Sequence, residues 1–169
     1  MNQAPTGRNQ REREPLVRTL ADGDVRAPSA KLIMTKTELK KLLDKISLNP
    51  SRRLGQNFLI DDNMLDAIVR DAAIDEGDTI LEIGPGTGVL TEKLIERGCS
   101  VIAIEYDRRL IEYLKERFLP AHAERFTLVE EDACRVNFTA LLQNHRYRCV
   151  SNLPYSISTP VVMRLVELN

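Results

Sequence analysis

Short apolar runs alternate with amphipathic segments from residue 35 to the end of the 169-residue chain. Short runs rich in β-branched and other apolar residues indicate buried strands, whereas apolar residues at every third or fourth position indicate helices. The predicted strands are Thr79–Ile83, Val101–Ile104, Phe126–Val129 and Tyr147–Ser151. Helices are predicted from the apolar sets Met64, Leu65, Ile68, Val69; Leu90, Leu94, Ile95; and Leu110, Ile111, Leu114, Phe118, the last set ending at Pro120, with a final helix from about Ser158.

Strands that alternate with helices predict an α/β fold, in which a parallel sheet is wound by right-handed crossovers. In a doubly wound sheet of this kind the second and third strands lie on one side of the first strand, and the fourth lies on the other. The gap between the first and fourth strands is then the place where a ligand binds, at the carboxyl ends. Because few residues follow the fourth strand, we expect a sheet truncated after it, with one edge poorly covered.

Residues 1–33 are rich in Arg, Asn, Gln, Pro and Gly and show no sustained apolar period. This composition predicts a disordered basic extension. Thr35 and Glu38 have the spacing of a capping box, and Leu39, Leu42, Leu43 and Ile46 follow at helical spacing. We therefore expect an amphipathic helix and linker over residues 34–53, and the α/β domain over residues 54–169.

Charge is distributed unevenly along the chain. Residues 1–53 contain 12 Lys/Arg and 6 Asp/Glu, a net charge of +6, whereas residues 54–169 contain 12 Lys/Arg and 19 Asp/Glu, a net charge of −7. The basic half could attract an anionic partner such as nucleic acid, but taken alone it is more typical of a solvated tail.

The three cysteines have no metal-ligand spacing, so no metal is expected, and they are interpreted as buried reduced thiols. The polar N-terminus does not resemble a signal peptide, and no apolar run reaches the ~20 residues of a membrane span. We expect a soluble cytoplasmic protein without a membrane partner.

Residues 81–88 read Leu-Glu-Ile-Gly-Pro-Gly-Thr-Gly, between a predicted strand and a predicted helix. Glycines let the backbone turn tightly and approach a ligand beside the free N–H groups of a helix start. The dinucleotide fingerprint G-x-G-x-x-G/A would need Gly or Ala where this chain has Val89. The observed G-x-G-x-G spacing, preceded by Glu82, is similar to the loop that binds S-adenosylmethionine, which favours a methyltransferase over a nicotinamide oxidoreductase.

Two acidic residues follow the next two strands. Glu105 ends the second strand, where a carboxylate can accept hydrogen bonds from both ribose hydroxyls of a nucleoside. Asp132 lies just past the third strand, where it can accept from an adenine amine. Either residue alone is equally consistent with an exposed acid at a strand end.

Residues 151–155 read Ser-Asn-Leu-Pro-Tyr and close the fourth strand. An aromatic exocyclic amine is a poor nucleophile, and the Asn152 side-chain oxygen with the Leu153 carbonyl can accept its N–H groups and aim its lone pair. Pro154 stiffens the turn, and Tyr155 offers a face on which a flipped-out base can stack. In this interpretation catalysis comes from holding the amine in position for transfer, and no strong base is required. A simple turn with a core tyrosine is the alternative.

From Arg53 onward the chain resembles the ribosomal RNA adenine dimethyltransferases. The resemblance rests on Leu54–Leu59, Glu82–Gly88, Glu105, Asp132-Ala133, and Asn152–Tyr155 with Ile157–Pro160. It implies a Rossmann-like S-adenosylmethionine-dependent methyltransferase fold, of which residues 54–169 would form a part. It also implies that Gln56, Asn57 and Leu59 close over the cofactor, beside Gly84, Gly86, Gly88, Glu105, Asp132, Ala133 and Asn152.

The implied reaction is the transfer of four methyl groups to two adjacent adenosines in ribosomal RNA. Leu153 favours the small-subunit branch, since the branch acting on large-subunit RNA typically has isoleucine there. The implied partners are ribosomal RNA and the small ribosomal subunit, in ribosome biogenesis, and the chain is expected to be a monomer. A non-catalytic RNA-binding assembly or transcription factor of the same fold, a large-subunit methyltransferase, and a methyltransferase for another amine stay open as alternatives.

Overall fold

The computed structural model describes residues 34–48, 58, 61–142, 146–153 and 155–168. These residues form six helices and four strands. In chain order the elements are α1 (Lys36–Lys45), α2 (Asp62–Asp71), β1 (Thr79–Ile83), α3 (Val89–Glu96), β2 (Ser100–Glu105), α4 (Arg108–His122), β3 (Phe126–Glu130), α5 (Phe138–Leu142), β4 (Tyr147–Cys149) and α6 (Tyr155–Val166). The predicted extension, residues 1–33, and residues 49–53 of the predicted linker lie outside the described residues, as do residues 54–57 at the start of the predicted domain.

The four strands form one parallel sheet in the order β3-β2-β1-β4. This is the predicted order: successive strands are added on one side of β1 up to β3, and β4 is added on the other side. The carboxyl ends of β1 and β4 therefore border a crevice that no strand fills. The predicted α/β fold with a parallel sheet and flanking helices is confirmed.

The two central strands are buried on both faces of the sheet. Side chains alternate between the faces with a period of two, so Ile80 and Val101 pack in one apolar cluster, and Leu81 and Ile102 pack in another. Helices α2, α3 and α4 cover the first cluster, whereas α5 and α6 cover the second. Burying each of these side chains contributes about 1.5–3 kcal/mol to stability.

Helix α1 begins with the predicted capping box. The Glu38 N–H donates to Thr35 Oγ1 at 3.2 Å, and the Thr35 N–H donates to the Glu38 carboxylate at 2.7 Å. The apolar face of the helix packs on the sheet domain, where Leu43 contacts the cluster that contains Leu110 of α4. The Arg109 guanidinium also donates to the carbonyl oxygen of Ser47 at 2.9 Å. Helix α1 is thus fixed beside the start of α4.

Two predicted helix boundaries are wrong, the end of α4 and the start of α6. Helix α4 continues two residues past Pro120, to His122, although the proline lacks an N–H for a helical hydrogen bond. Helix α6 begins at Tyr155, three residues before the predicted start at Ser158, and contains Pro160. This proline lies at an exposed position of the helix.

The end of β4 and the segment before it also differ from the prediction. Strand β4 ends at Cys149 rather than Ser151, and the five-residue helix α5 had no predicted counterpart. The five residues of α5 are too few for a periodic signal. All three cysteines are free thiols, but only Cys99 is buried, so the predicted burial is wrong for Cys134 and Cys149. Cys149 is exposed because it lies on the edge strand.

Candidate functional site

The glycine loop, residues 84–88, connects β1 to α3. Gly84, Gly86 and Gly88 have φ angles of +66°, +59° and +76°, in the left-handed region. Gly88 is the N-cap of α3, and a Cβ placed on it would lie 2.5 Å from the Phe118 ring. Both the backbone conformation and the packing therefore exclude a side chain at Gly88. The bare backbone of the loop leaves room for a ligand to approach closely.

Arg117 of α4 holds the glycine loop from the side away from solvent. Its Nη1 donates a hydrogen bond of 2.5 Å to the carbonyl oxygen of Thr87, and its Nη2 donates to the Glu92 carboxylate at 2.7 Å. The guanidinium is mostly buried, and charge-assisted bonds of this kind are stronger than neutral ones. No local sequence pattern points to Arg117, since its contact with Thr87 joins residues 30 positions apart.

Glu82 lies buried in the wall of the cleft beside this loop. One of its carboxyl oxygens accepts a hydrogen bond from Thr91 Oγ1 at 2.6 Å. Burial raises the pKa of Glu82 to about 8; the bond from Thr91 opposes this rise, and the charge of Glu105 adds to it. The Glu82 carboxyl group is therefore mostly protonated near neutral pH.

Glu105 is also buried, at the carboxyl end of β2. Its Oε1 accepts from the N–H groups of Tyr106 at 2.8 Å and Asp107 at 2.9 Å, and the Gly86 N–H also donates to the carboxylate. Burial raises the pKa of Glu105, and these three backbone donors oppose the rise. They also fix the orientation of the carboxylate, which lines the same cleft as the glycine loop.

Asp132 and Ala133 lie in the turn that follows β3. Asp132 Oδ1 accepts from the Cys134 N–H at 2.8 Å, which closes the turn with a side-chain hydrogen bond. The carbonyl oxygen of Ala133 accepts from the Arg164 guanidinium of α6 at 2.8 Å. Both Asp132 and Ala133 line the cleft, opposite the end of β1.

Asn152 is exposed at the mouth of the cleft, three residues before α6 begins. The preceding residue, Ser151, accepts the Ile83 N–H on its side-chain oxygen at 2.8 Å. The Leu153 side chain turns away from the cleft and packs with the apolar cluster beneath α6. Pro154 lies outside the described residues, and the structure does not describe the Tyr155 side chain.

These elements enclose one cavity of about 300 Å³ at the carboxyl ends of the strands, a volume within the range of small-molecule sites. It brings together the predicted residues Gly84, Gly86, Glu105, Asp132, Ala133 and Asn152. Gly88 lies behind it, and Gln56, Asn57 and Leu59 lie outside the described residues. Sequence reasoning did not identify the lining residues Phe58, Tyr106, Asp107, Leu110, Ser156 and Ile157 as part of the site. Of these, Tyr106 had a local signal, because it directly follows Glu105 at a strand end.

Among residues 34–48, 58, 61–142, 146–153 and 155–168, no three His, Cys, Asp or Glu side chains lie close enough to hold a metal ion. Within the same part of the chain, every helix is too short or too polar to cross a membrane.

The chain is similar in sequence to curated proteins that share one name. The chain is 41% identical over 128 residues to ribosomal RNA small subunit methyltransferase A of Clostridium botulinum (strain Okra / Type B1), covering 75% of this chain and 46% of that protein. It is 44% identical over 131 residues to the protein of the same name from Magnetococcus marinus, covering 76% and 46%. The chain thus spans about half the length of the curated relatives it matches.

Two solved structures share the fold at a sequence identity of 30% or more. A dimethyladenosine transferase from Plasmodium falciparum has a TM-score of 0.56 and 35% identity, covering 66% of this chain and 38% of that one. The 23S rRNA methyltransferase ErmE has a TM-score of 0.55 and 30% identity, covering 63% and 41%.

A family model described as ribosomal RNA adenine dimethylase matches residues 47–169, which include every residue of the cleft. The match covers most of the chain, and the parallel sheet has the Rossmann-like order of the methyltransferase fold. The resemblance drawn from the glycine loop and the Asn152 motif is therefore confirmed, and the chain belongs to the ribosomal RNA adenine dimethylase family.

Proposed function

We propose that this chain carries the cofactor and acceptor sites of an S-adenosylmethionine-dependent methyltransferase that dimethylates the exocyclic amines of two adjacent adenosines in small-subunit ribosomal RNA. One observation carries the proposal: the glycine loop, Glu105 and Asn152 open onto the same cleft. A methyl donor held by the loop and an amine held by Asn152 would then meet. The names of the curated relatives support the small subunit as the substrate.

The chemistry of the cleft fits a nucleoside-bearing cofactor. Glu105 offers a buried carboxylate to the two ribose hydroxyls, and Asp132 offers an acceptor to the adenine amine. The bare backbone at Gly84 and Gly86 accommodates the amino-acid portion. When bound, S-adenosylmethionine supplies an electrophilic methyl group on a sulfonium centre. The resemblance adds Gln56, Asn57, Leu59, Gly88, Ala133 and Asn152 to the set that would hold it.

The acceptor side of the cleft works by positioning. The Asn152 side-chain oxygen and the Leu153 carbonyl would accept the two N–H groups of an adenine amine, so that the nitrogen lone pair points into the cleft. The hydrogen bond between Ser151 and Ile83 keeps this turn against the end of β1. Pro154 would stiffen the turn, and Tyr155 would stack on the base. The nitrogen would carry a positive charge once it has bonded to the methyl group, so its proton would pass readily to solvent and no strong base is needed.

Electrostatics favour an RNA that approaches the cleft along α1 rather than past the acidic lining residues Glu131 and Asp132. Four exposed lysines lie on α1: Lys36, Lys40, Lys41 and Lys45. The helix contacts the start of α4 next to Leu110, which itself lines the cleft. Phosphates of an RNA that delivers an adenine to Asn152 could pair with these lysines. We propose ribosomal RNA as the partner of a monomeric cytoplasmic protein in ribosome biogenesis.

Methyl transfer to purified RNA tests the proposal. The chain is incubated with methyl-labelled cofactor and either small-subunit or large-subunit ribosomal RNA, and the nucleosides are then analysed by mass spectrometry. We expect label in dimethylated adenosine from the small-subunit RNA. Unlabelled adenosine in both RNAs, under conditions where cofactor and RNA both bind, would refute the enzymatic function and support a non-catalytic RNA-binding factor.

Large-subunit ribosomal RNA is the second candidate substrate. The fold matches ErmE, a 23S rRNA methyltransferase, almost as well as it matches the dimethyladenosine transferase. Label confined to large-subunit adenosines in the same experiment would support this candidate.

A further inference from the structure

Arg164 of α6 forms a bridge to the turn after β3. Its Nη1 donates to the carbonyl oxygen of Ala133 at 2.8 Å, and its Nη2 donates to that of Val136 at 2.5 Å. The guanidinium carbon also lies 5.0 Å from the centre of the Phe138 ring. Two carbonyls and an aromatic face thus hold a half-buried planar cation.

The turn presents these carbonyls to Arg164 because its N–H groups are used internally. The N–H groups of Arg135 and Val136 donate to the Asp132 carbonyl oxygen at 2.7 and 3.0 Å, and the Cys134 N–H donates to the Asp132 side chain. The carbonyls of Ala133 and Val136 then point outward, toward α6. Arg164 satisfies both with one rigid group, which a lysine ammonium at a single point cannot reproduce.

The bridge joins two walls of the cleft. The turn contributes Asp132 and Ala133 to one wall, and the start of α6 contributes Ser156 and Ile157 to the other. Helix α6 directly follows the Asn152 turn, so its position and that of the acceptor motif are linked through a short segment. The distance between the Asp132 turn and the Asn152 turn therefore depends on the contacts of Arg164.

We propose that Arg164 is a positioning residue that fixes the Asp132 turn for recognition of the cofactor's adenine amine. Arg164 does not itself line the cleft, and it acts through the backbone of the turn, whose Ala133 carbonyl oxygen it holds. The inference rests on the proposed function, since it assumes that an adenosyl cofactor occupies the cleft. Selectivity for adenine over other purines then depends on Arg164, a side chain of α6, the helix that follows the Asn152 turn.

Calorimetric titration of Arg164→Gln and Arg164→Lys tests this role. The ligands are S-adenosylhomocysteine and its analogue with hypoxanthine in place of adenine, which has a carbonyl oxygen where the amine would be. Arg148→Gln is the matched control, because Arg148 also bridges elements, through Asp78, but at the amino-terminal end of the sheet. Thermal unfolding of each variant is measured in parallel.

We expect the wild type and Arg148→Gln to prefer the adenine ligand. In Arg164→Gln the adenine ligand should bind about tenfold more weakly while the hypoxanthine analogue changes less than about twofold, so the preference collapses. Arg164→Lys should retain part of the preference for the adenine ligand. Equal losses for both ligands would reduce Arg164 to a structural role and overturn the proposal, as would unchanged binding of both. A wild type that binds neither ligand would instead refute the proposed cofactor, and this inference with it.

Discussion

The backbone N–H of Ile83 donates a hydrogen bond of 2.8 Å to the side-chain oxygen of Ser151, 68 positions further along the chain. Ile83 is the last residue of β1, and Ser151 precedes Asn152. The backbone hydrogen bonds between β1 and β4 end one residue before Ser151, where the Val150 N–H donates to the carbonyl oxygen of Leu81. A side chain thus continues the pairing beyond β4 and holds the glycine loop and the acceptor turn together.

We predict that Ser151→Ala slows methyl transfer more than it weakens cofactor binding. The substitution leaves the Ile83 N–H without its acceptor, and a hydrogen bond of this kind contributes about 0.5–1.5 kcal/mol. A two- to tenfold fall in the rate, on the order of that energy, is expected with a nearly unchanged dissociation constant for S-adenosylhomocysteine. Ser151→Thr, which retains the hydroxyl group, is the control. Equal rates for Ser151→Ala and the wild type would show that this bond does not position the acceptor turn.

Gly88→Ala should destabilise the protein far more than Gly77→Ala. Both glycines have positive φ, at +76° and +88°, but a Cβ on Gly88 meets Phe118 at 2.5 Å whereas one on Gly77 meets nothing within 4 Å. Backbone strain alone costs about 1 kcal/mol, and the clash should add about 1–3 kcal/mol. Urea unfolding of the two variants measures the difference. Similar losses in both would mean that Phe118 moves away easily.

The stability of the wild type should fall as the pH rises between about 5 and about 8 because of Glu82. The folded protein holds the Glu82 proton up to a pKa of about 8, whereas the unfolded carboxyl releases it near 4.5, so folding takes up a proton in this interval. Glu82→Gln should match the wild type near pH 5 and exceed it above pH 8 by on the order of a few kcal/mol. Urea unfolding of both proteins across this range measures the effect of Glu82 together with its coupling to Glu105. A difference in stability that does not vary with pH would exclude the raised pKa.

Glu105→Ala should weaken binding of S-adenosylhomocysteine by about 1–3 kcal/mol, through the loss of acceptors for the ribose hydroxyls. Glu130→Ala is the matched control, because Glu130 ends β3 at the position paired with Glu105 and pairs with Lys115 on the exposed surface. Isothermal titration should show a loss for the first variant alone. Unchanged binding by Glu105→Ala would count against the role of this carboxylate.

Features set by local spacing or by general rules of topology were predictable from the sequence. The Thr35–Glu38 spacing predicts the capping box, and the alternation of elements predicts a parallel sheet with β1 between β2 and β4. That order alone places the glycine loop beside Asn152, since both follow neighbouring strand ends. The shared cleft therefore followed from sequence pattern and strand order.

Features that depend on packing between distant segments were not predictable. Arg117, Ser151 and Arg164 act through contacts with partners 28 to 68 positions away, and no spacing in the sequence marks them. The end of α4 was misjudged because tertiary packing outweighs the local cost of a proline near a helix end. Packing between distant segments determines which side chains support the cleft. Local sequence determines the glycine loop and the Asn152 turn, which carry the proposed binding groups.

Binding of a bisubstrate adduct tests most directly whether donor and acceptor share the cleft. In this adduct the amino nitrogen of an adenosine is joined covalently to a cofactor analogue in place of the transferred methyl group. We predict that the wild type binds the adduct at least about tenfold more tightly than S-adenosylhomocysteine. Asn152→Ala should lose that gain while binding S-adenosylhomocysteine almost normally. Equal affinity of the wild type for the adduct and for S-adenosylhomocysteine, or a gain that survives in Asn152→Ala, would contradict a cleft shared by the glycine loop and Asn152.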